Sequence, residues 1–377
     1  MKKLIIGITS EVSCGLIEGQ VRFFVENGFD VYLLVNAAKQ AEDFCKQEKC
    51  TYVPVNIKRD ISIFSDLRAL FQIIVAMYRI RPDIVNVGTP KMGLLGMIAA
   101  YLLRVPIRIY TCRGFRFATS SGFMKELLES LEKVSGFCAH KIICISLSLR
   151  SKAINEGIFP EHKCVLINKG SSNGIDLSIF LKSNVDINVV KELRIKYVLN
   201  GKFVYGFVGR ISADKGIWEL FKAFTELYEK NNDFRLFLIG RLEIGATDAK
   251  KIIEHDGVIY INGVKKIDLP LYYSLFNVFV LPTYREGFGN VLIEAAALGV
   301  PVISTKVTGA VDAVSDRYNG ILVPPKNVTD LQNAMDLLYN DVKLRERYGN
   351  NGVEWAKNFD QSIIWNGLLC LYKQMMK

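Results

Sequence analysis

Histidine is nearly absent from this chain. His140, His162 and His255 are the only three in 377 residues, and no two are spaced as a metal-binding pair. A zinc site or a Ser-His-Asp triad therefore has almost nothing to draw on. Cysteine is commoner, with eight at 14, 45, 50, 112, 138, 144, 164 and 370, but no two form C-x-x-C and several stand inside apolar runs such as KIICIS. That scatter is the pattern of reduced cytosolic thiols serving as small apolar residues. Long apolar runs are missing too. The richest, LLGMIAAYLL at 94–103, lies between Lys91 and Arg104 and falls well short of the roughly 20 residues a bilayer-spanning helix needs. The opening MKKLIIGITS has a short apolar run that breaks at Gly7, too short for a signal core, and reads as a first buried strand. No low-complexity segment or short-period repeat intrudes.

Half of the 377 residues are hydrophobic, enough for two packed domains and too many for one simple core. Short aliphatic runs alternate with longer helical patterns. LIIGITS is followed by a helix over about Leu16 to Asn27, then by FDVYLLV, TYVPVNI, DIVNVGT, IRIYTCR and KIICIS. The series restarts with KFVYGFVGR, FRLFLIG, VIYING, VFVLPT, PVISTK and NGILVP. Strands apolar throughout and separated by helices predict parallel sheets covered on both faces. The fold class expected is α/β: two doubly wound, Rossmann-like domains joined near 176–200, their strand ends facing a central cleft. The final segment, 360–377, reads as one amphipathic helix that either caps the second domain or crosses back to the first.

The net charge of +10 is uneven: residues 1–180 hold 23 Lys+Arg against 16 Asp+Glu, and the remainder 25 against 22. Between Cys50 and Arg116 ten basic residues (Lys58, Arg59, Arg68, Arg79, Arg81, Lys91, Arg104, Arg108, Arg113, Arg116) face three acids, interleaved with apolar runs. Such a face suits an anionic membrane surface or an anionic lipid substrate; a solvated basic surface without a partner gives the same pattern. Nucleic acid is not expected as a partner, because no basic stripe with stacking aromatics or recognition helix occurs.

Two loops carry the charged residues of interest. GRISADKG, at 209–216, follows a strand and precedes a helix. Gly209 lets the chain turn, Arg210 and Lys215 supply two cations, and the helix start offers free amides, together a cradle for a diphosphate. VLPTYREGFGNVLIEAAALG occupies the same kind of position further on. There Gly287 and Gly289 permit close approach of a ligand, and Asn290 is expected as N-cap. The amides of Gly289, Asn290 and Val291 would then face an anion. Glu294 in the first helical turn could accept from a ribose diol, and Glu286 would meet a group on the far phosphate. The lesser alternative is that Glu286 caps a loop and Glu294 is a favourable helix-end charge. The aromatics of LYYSLF (271–276) have helical spacing and read as core, and His140 as a packing residue.

With these motifs the chain resembles the retaining glycosyltransferases of family 4, which have the two-Rossmann GT-B fold. The resemblance rests on GRISADKG, the E-x7-E pair Glu286/Glu294, GVPVISTKVTGAVDAV, NGILVPP and the junction GSSNGIDLSIF at 170–180. It implies transfer of a sugar from a nucleotide donor, UDP-sugar favoured, to a glycan or polyprenyl-diphosphate-sugar acceptor with anomeric configuration kept, in surface polysaccharide synthesis such as capsule or lipopolysaccharide. Arg210 and Lys215 would hold the leaving diphosphate. Glu286 would orient the donor sugar, Glu294 the ribose, and the Val264 backbone would meet the base. Phe288 belongs to the same donor loop. Domains are expected at 1–178, joined by the crossing helix 361–377, and at 179–360. No cofactor is expected, and the lack of any Asp-x-Asp agrees with a metal-independent enzyme. The implied location is cytoplasmic, peripheral at the inner membrane face. In the first domain, Ser13-Cys14-Gly15 stands where many relatives carry Gly-Gly, leaving Gly15 as the loop residue near the phosphates. Arg113 stands where relatives often carry histidine; it cannot act as a base, and is expected either to bind a phosphate in the active site or to form a structural ion pair. The same fold would serve an epimerase or hydrolase, or a non-catalytic nucleotide-sugar-binding subunit. The first reading lacks acidic and histidine residues in the first domain, and the second would not need Arg210, Lys215, Glu286 and Glu294 all intact.

Overall fold

A computed structural model describes residues 1–58 and 62–377; Arg59, one of the basic residues counted above, lies outside them. The chain divides into two compact units, Met1–Gly174 with Gln361–Lys377, and Ile175–Asp360. The division follows Gly174 where the sequence reading put it after 178. The reason is local: Ile175 donates its N–H to Phe359 O (2.8 Å) and bridges to Asp360, so the chain is already tied to the second unit there.

The first unit is built on strands β1 Lys2–Gly7, β2 Phe29–Asn36, β3 Thr51–Val55, β4 Ile84–Gly88, β5 Ile107–Cys112, β6 Lys141–Cys144 and β7 Cys164–Val165, in the order β3-β2-β1-β4-β5-β6-β7. All its pairings are parallel. The second unit has β8 Phe203–Val208, β9 Phe234–Ile239, β10 Val258–Ile261, β11 Val278–Leu281, β12 Val302–Thr305 and β13 Gly320–Val323, in the order β10-β9-β8-β11-β12-β13, again parallel. Leu4, Ile5 and Ile6 are consecutive yet all buried, as residues in a sheet covered on both faces must be. The two expected sheets are therefore present. β7 was not anticipated, since two residues carry no periodicity. In each sheet the order reverses beside the first strand, between β1 and β4 and between β8 and β11. Open α/β sheets bind ligands at such switch points, outside the carboxyl ends of the strands.

The first helix runs over Gln20–Glu26 rather than from Leu16, because Glu11–Leu16 forms a 3-10 turn and Gly19 breaks the path with φ of 74°. A Cβ at Gly19 would lie 2.7 Å from the Trp365 ring. The helix start is closed from outside its own segment: the buried Glu48 carboxylate accepts from the N–H groups of Gly19 (3.1 Å) and Arg22 (2.9 Å). The last helix, Gln361–Met375, crosses back to the first unit, the second of the two alternatives above. Its Ile364, Leu368, Leu369 and Tyr372 join the core of Leu4, Ile6, Val21 and Phe24, each large apolar side chain contributing about 1.5–3 kcal/mol. Tyr372 stacks on Phe24 and its hydroxyl accepts from Asn86 Nδ2 (2.6 Å), whose Oδ1 accepts from Thr111 Oγ1 (2.7 Å). Among the described residues no helix is long and apolar enough to cross a membrane, and the eight cysteines are free, only Cys370 exposed.

Candidate functional site

The two motif loops stand on either side of the second unit's switch point, one after β8 and the other after β11. Gly209 has φ of 149° and Gly240, after β9, has φ of 142°. A Cβ on Gly240 would come within 1.9 Å of Gly209 O, so the two turns cross backbone against backbone. A 3-10 turn, Ala213–Lys215, then leads through Gly216 into the helix Ile217–Tyr228. Gly216 has φ of 71°, and a Cβ there would lie 1.9 Å from Pro282 O. The loops are pinned together by Tyr284 N–H and Thr283 Oγ1, which both donate to Asp214 O at 2.9 and 3.2 Å.

The pinning brings the charged residues together. Lys215 Nζ pairs with Glu286 Oε1, and both side chains are largely enclosed, 15% and 14% exposed. Arg210 is more open and is held from two sides, Nη1 donating to Glu243 Oε2 (2.5 Å) and Nη2 to Asp214 Oδ2 (3.0 Å). Arg285 Nε lies 3.7 Å from the same Asp214 oxygen. Burial is the largest single influence on Asp214 and opposes its ionisation. The Ser212 hydroxyl and the charges of Arg210 and Lys215 together outweigh it and hold the carboxyl below its usual range. Each cation is thus presented by an acid, fixed in position yet able to exchange that acid for a stronger anion.

The helix after β11 runs over Asn290–Ala297, and its N-cap is Gly289, not Asn290. Gly289 has φ of 91°, whereas Gly287 is not in the left-handed region; the positive φ turns the chain into the helix one residue before the expected cap. Asn290 is the first helical residue, and Glu294 falls in the second turn. Gly309 has φ of 82°, and a Cβ there would meet Glu286 O and Gly287 O at 2.7 Å, so the loop after β12 closes on the backbone of Gly287. Phe288 is buried against Phe359, which leaves only its backbone to face a ligand. Val291 is half-buried and its carbonyl accepts from Tyr273 OH (3.3 Å). Tyr273 OH also donates to Glu294 Oε2 (3.0 Å). Burial raises the Glu294 carboxyl above its usual range, opposed by that hydrogen bond and by the charge of Lys266. Beyond Arg210, the ends of β9 and β10 frame an open hollow of about 450 Å³ lined by Arg241, Leu242, Tyr260 and Asn262. Val264 follows it, half-buried, two residues beyond Asn262.

In the first unit Arg113 leaves the end of β5. Its Nε donates to Ser172 Oγ (2.8 Å), while Nη1 is buried without a hydrogen-bond partner among the described residues. Burial lowers its pKa to about 10, so it stays charged near neutrality. Gly15 lies in the 3-10 turn after β1, where a Cβ would meet nothing within 4 Å; packing within the chain does not demand glycine there. His140 Nδ1 accepts from Arg108 N–H, and His255 sits among Phe221, Phe224 and Tyr228, both structural settings. Among the described residues no group of three His, Cys, Asp or Glu could hold a metal ion.

Three residues that the sequence reading gave no part complete the constellation. Asp214 could have been found, because it stands four residues after Arg210 in the same motif. Glu243 carried no signal, since its loop has no recognisable spacing. Tyr273 is core, as the helical spacing of LYYSLF implied, yet its hydroxyl is the group that orients Glu294.

Two family models match the chain: glycosyl transferases group 1 over residues 189–355, and a glycosyl transferase 4-like domain over 16–170. The capsular polysaccharide biosynthesis glycosyltransferase CapM of Staphylococcus aureus is 40% identical over 375 residues, 98% of this chain and 96% of its own length. The N,N'-diacetylbacillosaminyl-diphospho-undecaprenol alpha-1,3-N-acetylgalactosaminyltransferase of Campylobacter jejuni is 27% identical, over 85% of this chain and 84% of its own. Among solved structures, Anabaena HepE in complex with UDP and glucose superposes with a TM-score of 0.82 at 17% identity, covering 99% of this chain and 100% of that one, a likeness of fold.

Proposed function

The chain belongs to the group 1 glycosyltransferases, and from that premise we propose that it moves a sugar from a UDP-sugar to a polyprenyl-diphosphate-linked glycan during assembly of a surface polysaccharide, with retention at the anomeric carbon. The observation that carries this reading is the meeting of Arg210, Lys215 and Glu286 at the β8/β11 switch point. In the proposed reaction the donor diphosphate displaces the acids that hold Arg210 and Lys215. The two cations and the first amides of the helices beginning at Ile217 and Asn290 then bear the charge that develops as the diphosphate leaves. These residues supply the positive charge that a divalent ion would otherwise bring. Glu286, released from Lys215, accepts from the hydroxyls of the donor sugar. Glu294, oriented by Tyr273, holds the ribose, and the base lies against the hollow beside the Val264 backbone. The acceptor class follows from the relatives, one named for capsular polysaccharide and another for a diphospho-undecaprenol acceptor.

A lipid-linked acceptor requires the enzyme to reach a membrane surface, and the helix Ile63–Ile80 is suited to that. It buries Ala69, Ile73 and Met77 on one side while Phe64 (89% exposed), Leu67, Phe71 and Tyr78 form a second apolar stripe, flanked by the exposed Arg68 and Arg79. Phe123 and Phe137 stand exposed on the helix Gly122–Cys138. Apolar side chains beside arginines fit the interface of an anionic bilayer, and this supports a peripheral position at the cytoplasmic membrane face.

The test is incubation of the purified protein with UDP- and GDP-sugars and short-chain polyprenyl-diphosphate sugars, read by product mass. One pair should give an acceptor one sugar heavier, and Glu286→Ala should abolish that product. No transfer with any pair would contradict the proposal.

A further inference from the structure

Arg113 lies in the first unit, outside the loops that carry Arg210, Lys215 and Glu286. Two enclosed lysines have carboxylate partners: Lys91 pairs with Asp66 at 2.7 Å, and Lys215 with Glu286. Arg113 has none among the described residues. Its Nε donates to the neutral Ser172 hydroxyl, and Nη1 is buried and, among the described residues, unsatisfied. The ionisable groups that influence it are Tyr110, Tyr372 and Cys112, and burial pushes all three further toward their neutral forms, so none offers a negative charge near pH 7. A guanidinium nitrogen enclosed without an acceptor or counter-charge is a cost to the fold, and a ligand oxygen at Nη1 would relieve it.

The surroundings are shaped to keep the guanidinium there. Arg113 extends from the end of β5, and Gly88 is the last residue of the neighbouring β4. A Cβ on Gly88 would lie 1.6 Å from Arg113 Nη1, so only glycine leaves space for the arginine in this position. Thr89 follows with φ of 68°, a left-handed conformation that a β-branched residue rarely adopts. Its hydroxyl is 2.6 Å from that of Thr9, at the end of β1. Gly88, Thr89 and Thr9 thus mark the β1/β4 switch point, where ligands of open α/β sheets bind, and Thr89 is the N-cap position of the helix Pro90–Leu102, without a side-chain capping hydrogen bond. Beneath them, the buried hydrogen bonds of Thr111, Asn86 and Tyr372 support the ends of β4 and β5.

We propose that Arg113 is the cation of a phosphate-binding site on the first unit, whose ligand is an oxygen of a diphosphate ester. The choice of a diphosphate ester rests on the function proposed above. That diphosphate belongs either to the nucleotide donor or to the lipid-linked acceptor, and the two sources are separable.

The first experiment needs no turnover. In an Arg210→Ala/Lys215→Ala background, which silences the second unit's cations, inorganic pyrophosphate binding is measured by calorimetry and the thermal midpoint is recorded. Arg113→Met should weaken pyrophosphate binding about tenfold or more, the loss of one charge-assisted contact, with the midpoint unchanged or raised. Gly88→Ala, which displaces the guanidinium without removing its charge, should weaken binding as well, and it decides the matter if Arg113→Met does not fold. Pyrophosphate affinity equal to that of the parent in the folded variants would overturn the proposal, and a lowered midpoint with intact affinity would assign Arg113 a structural role instead. The second experiment uses the otherwise native enzyme. A raised KM for the polyprenyl-diphosphate sugar alone in Arg113→Met identifies the acceptor as the source, and a raised KM for the UDP-sugar alone identifies the donor. Both KM values unchanged would count against the site, whereas a native chain that transfers nothing would count against the proposed function and leave the pyrophosphate result standing.

Discussion

Glu132, in the helix Gly122–Cys138, is buried and accepts from Tyr110 OH at 2.8 Å. Burial is the dominant influence and raises its carboxyl to about 7, against 4.5 for the free group, the tyrosine hydrogen bond opposing it. The sign of the stability effect follows by linkage. Below the unfolded pKa both states are protonated and no penalty exists. Between that value and about 7 the unfolded chain sheds its proton while the folded chain keeps it, so stability falls as pH rises by about 1.4 kcal/mol per unit. Above about 7 both states are ionised and the loss is complete, roughly 3 kcal/mol for a shift of this size. Glu132→Gln keeps the shape and an acceptor for Tyr110 but removes the charge. The variant should match the parent near pH 4.5 and exceed it by up to about 3 kcal/mol at pH 8. Urea unfolding at several pH values in a Trp218→Phe/Trp355→Phe background makes Trp365, the tryptophan of the first unit, the sole reporter. Parallel pH profiles for parent and variant would refute the reasoning.

Three further outcomes are expected. Glu48→Ala leaves the N–H groups of Gly19 and Arg22 without their carboxylate and should destabilise the first unit by about 1–3 kcal/mol in denaturant melts, with Glu48→Gln recovering part of the loss. Gly216→Ala forces a Cβ toward Pro282 O from a left-handed backbone; thermal melts should show a loss of at least about 2 kcal/mol, with weakened UDP binding as the 209–216 loop is displaced. Tyr273→Phe removes the hydroxyl that orients Glu294 and opposes the rise in its pKa. Donor KM should rise about tenfold with kcat nearly unchanged, and the rise should grow as pH falls, because loss of the hydroxyl pushes the Glu294 carboxyl further up.

The sheets were legible because a strand buried on both faces needs continuous aliphatic residues, as in LIIGITS and VFVLPT, and these short runs recur between longer helical patterns. The charged loops were legible because phosphate cradles need glycine and cations at fixed spacing after a strand. Their closure was not. Nothing in the spacing of Glu243 or Tyr273 signals that one holds Arg210 and the other Glu294, since both contacts join segments remote in sequence. The cap at Gly289 was misplaced to Asn290 because side-chain preference favours asparagine, whereas the chain needed a positive φ one residue earlier. The first helix was drawn too long for a related reason: the break at Gly19 is set by Trp365, from the far end of the chain. Arg113 was visible as a departure from a family pattern, but its missing counter-charge could be recognised only in three dimensions.

Stabilisation of the leaving diphosphate by Lys215 and Arg210 should show in single-turnover transfer from the UDP-sugar. Lys215→Ala and Arg210→Ala should each slow the chemical step at least about tenfold, as expected for one charge-assisted contact worth roughly 1.5–3 kcal/mol in the transition state. A wild-type single-turnover rate in either variant would contradict the assignment.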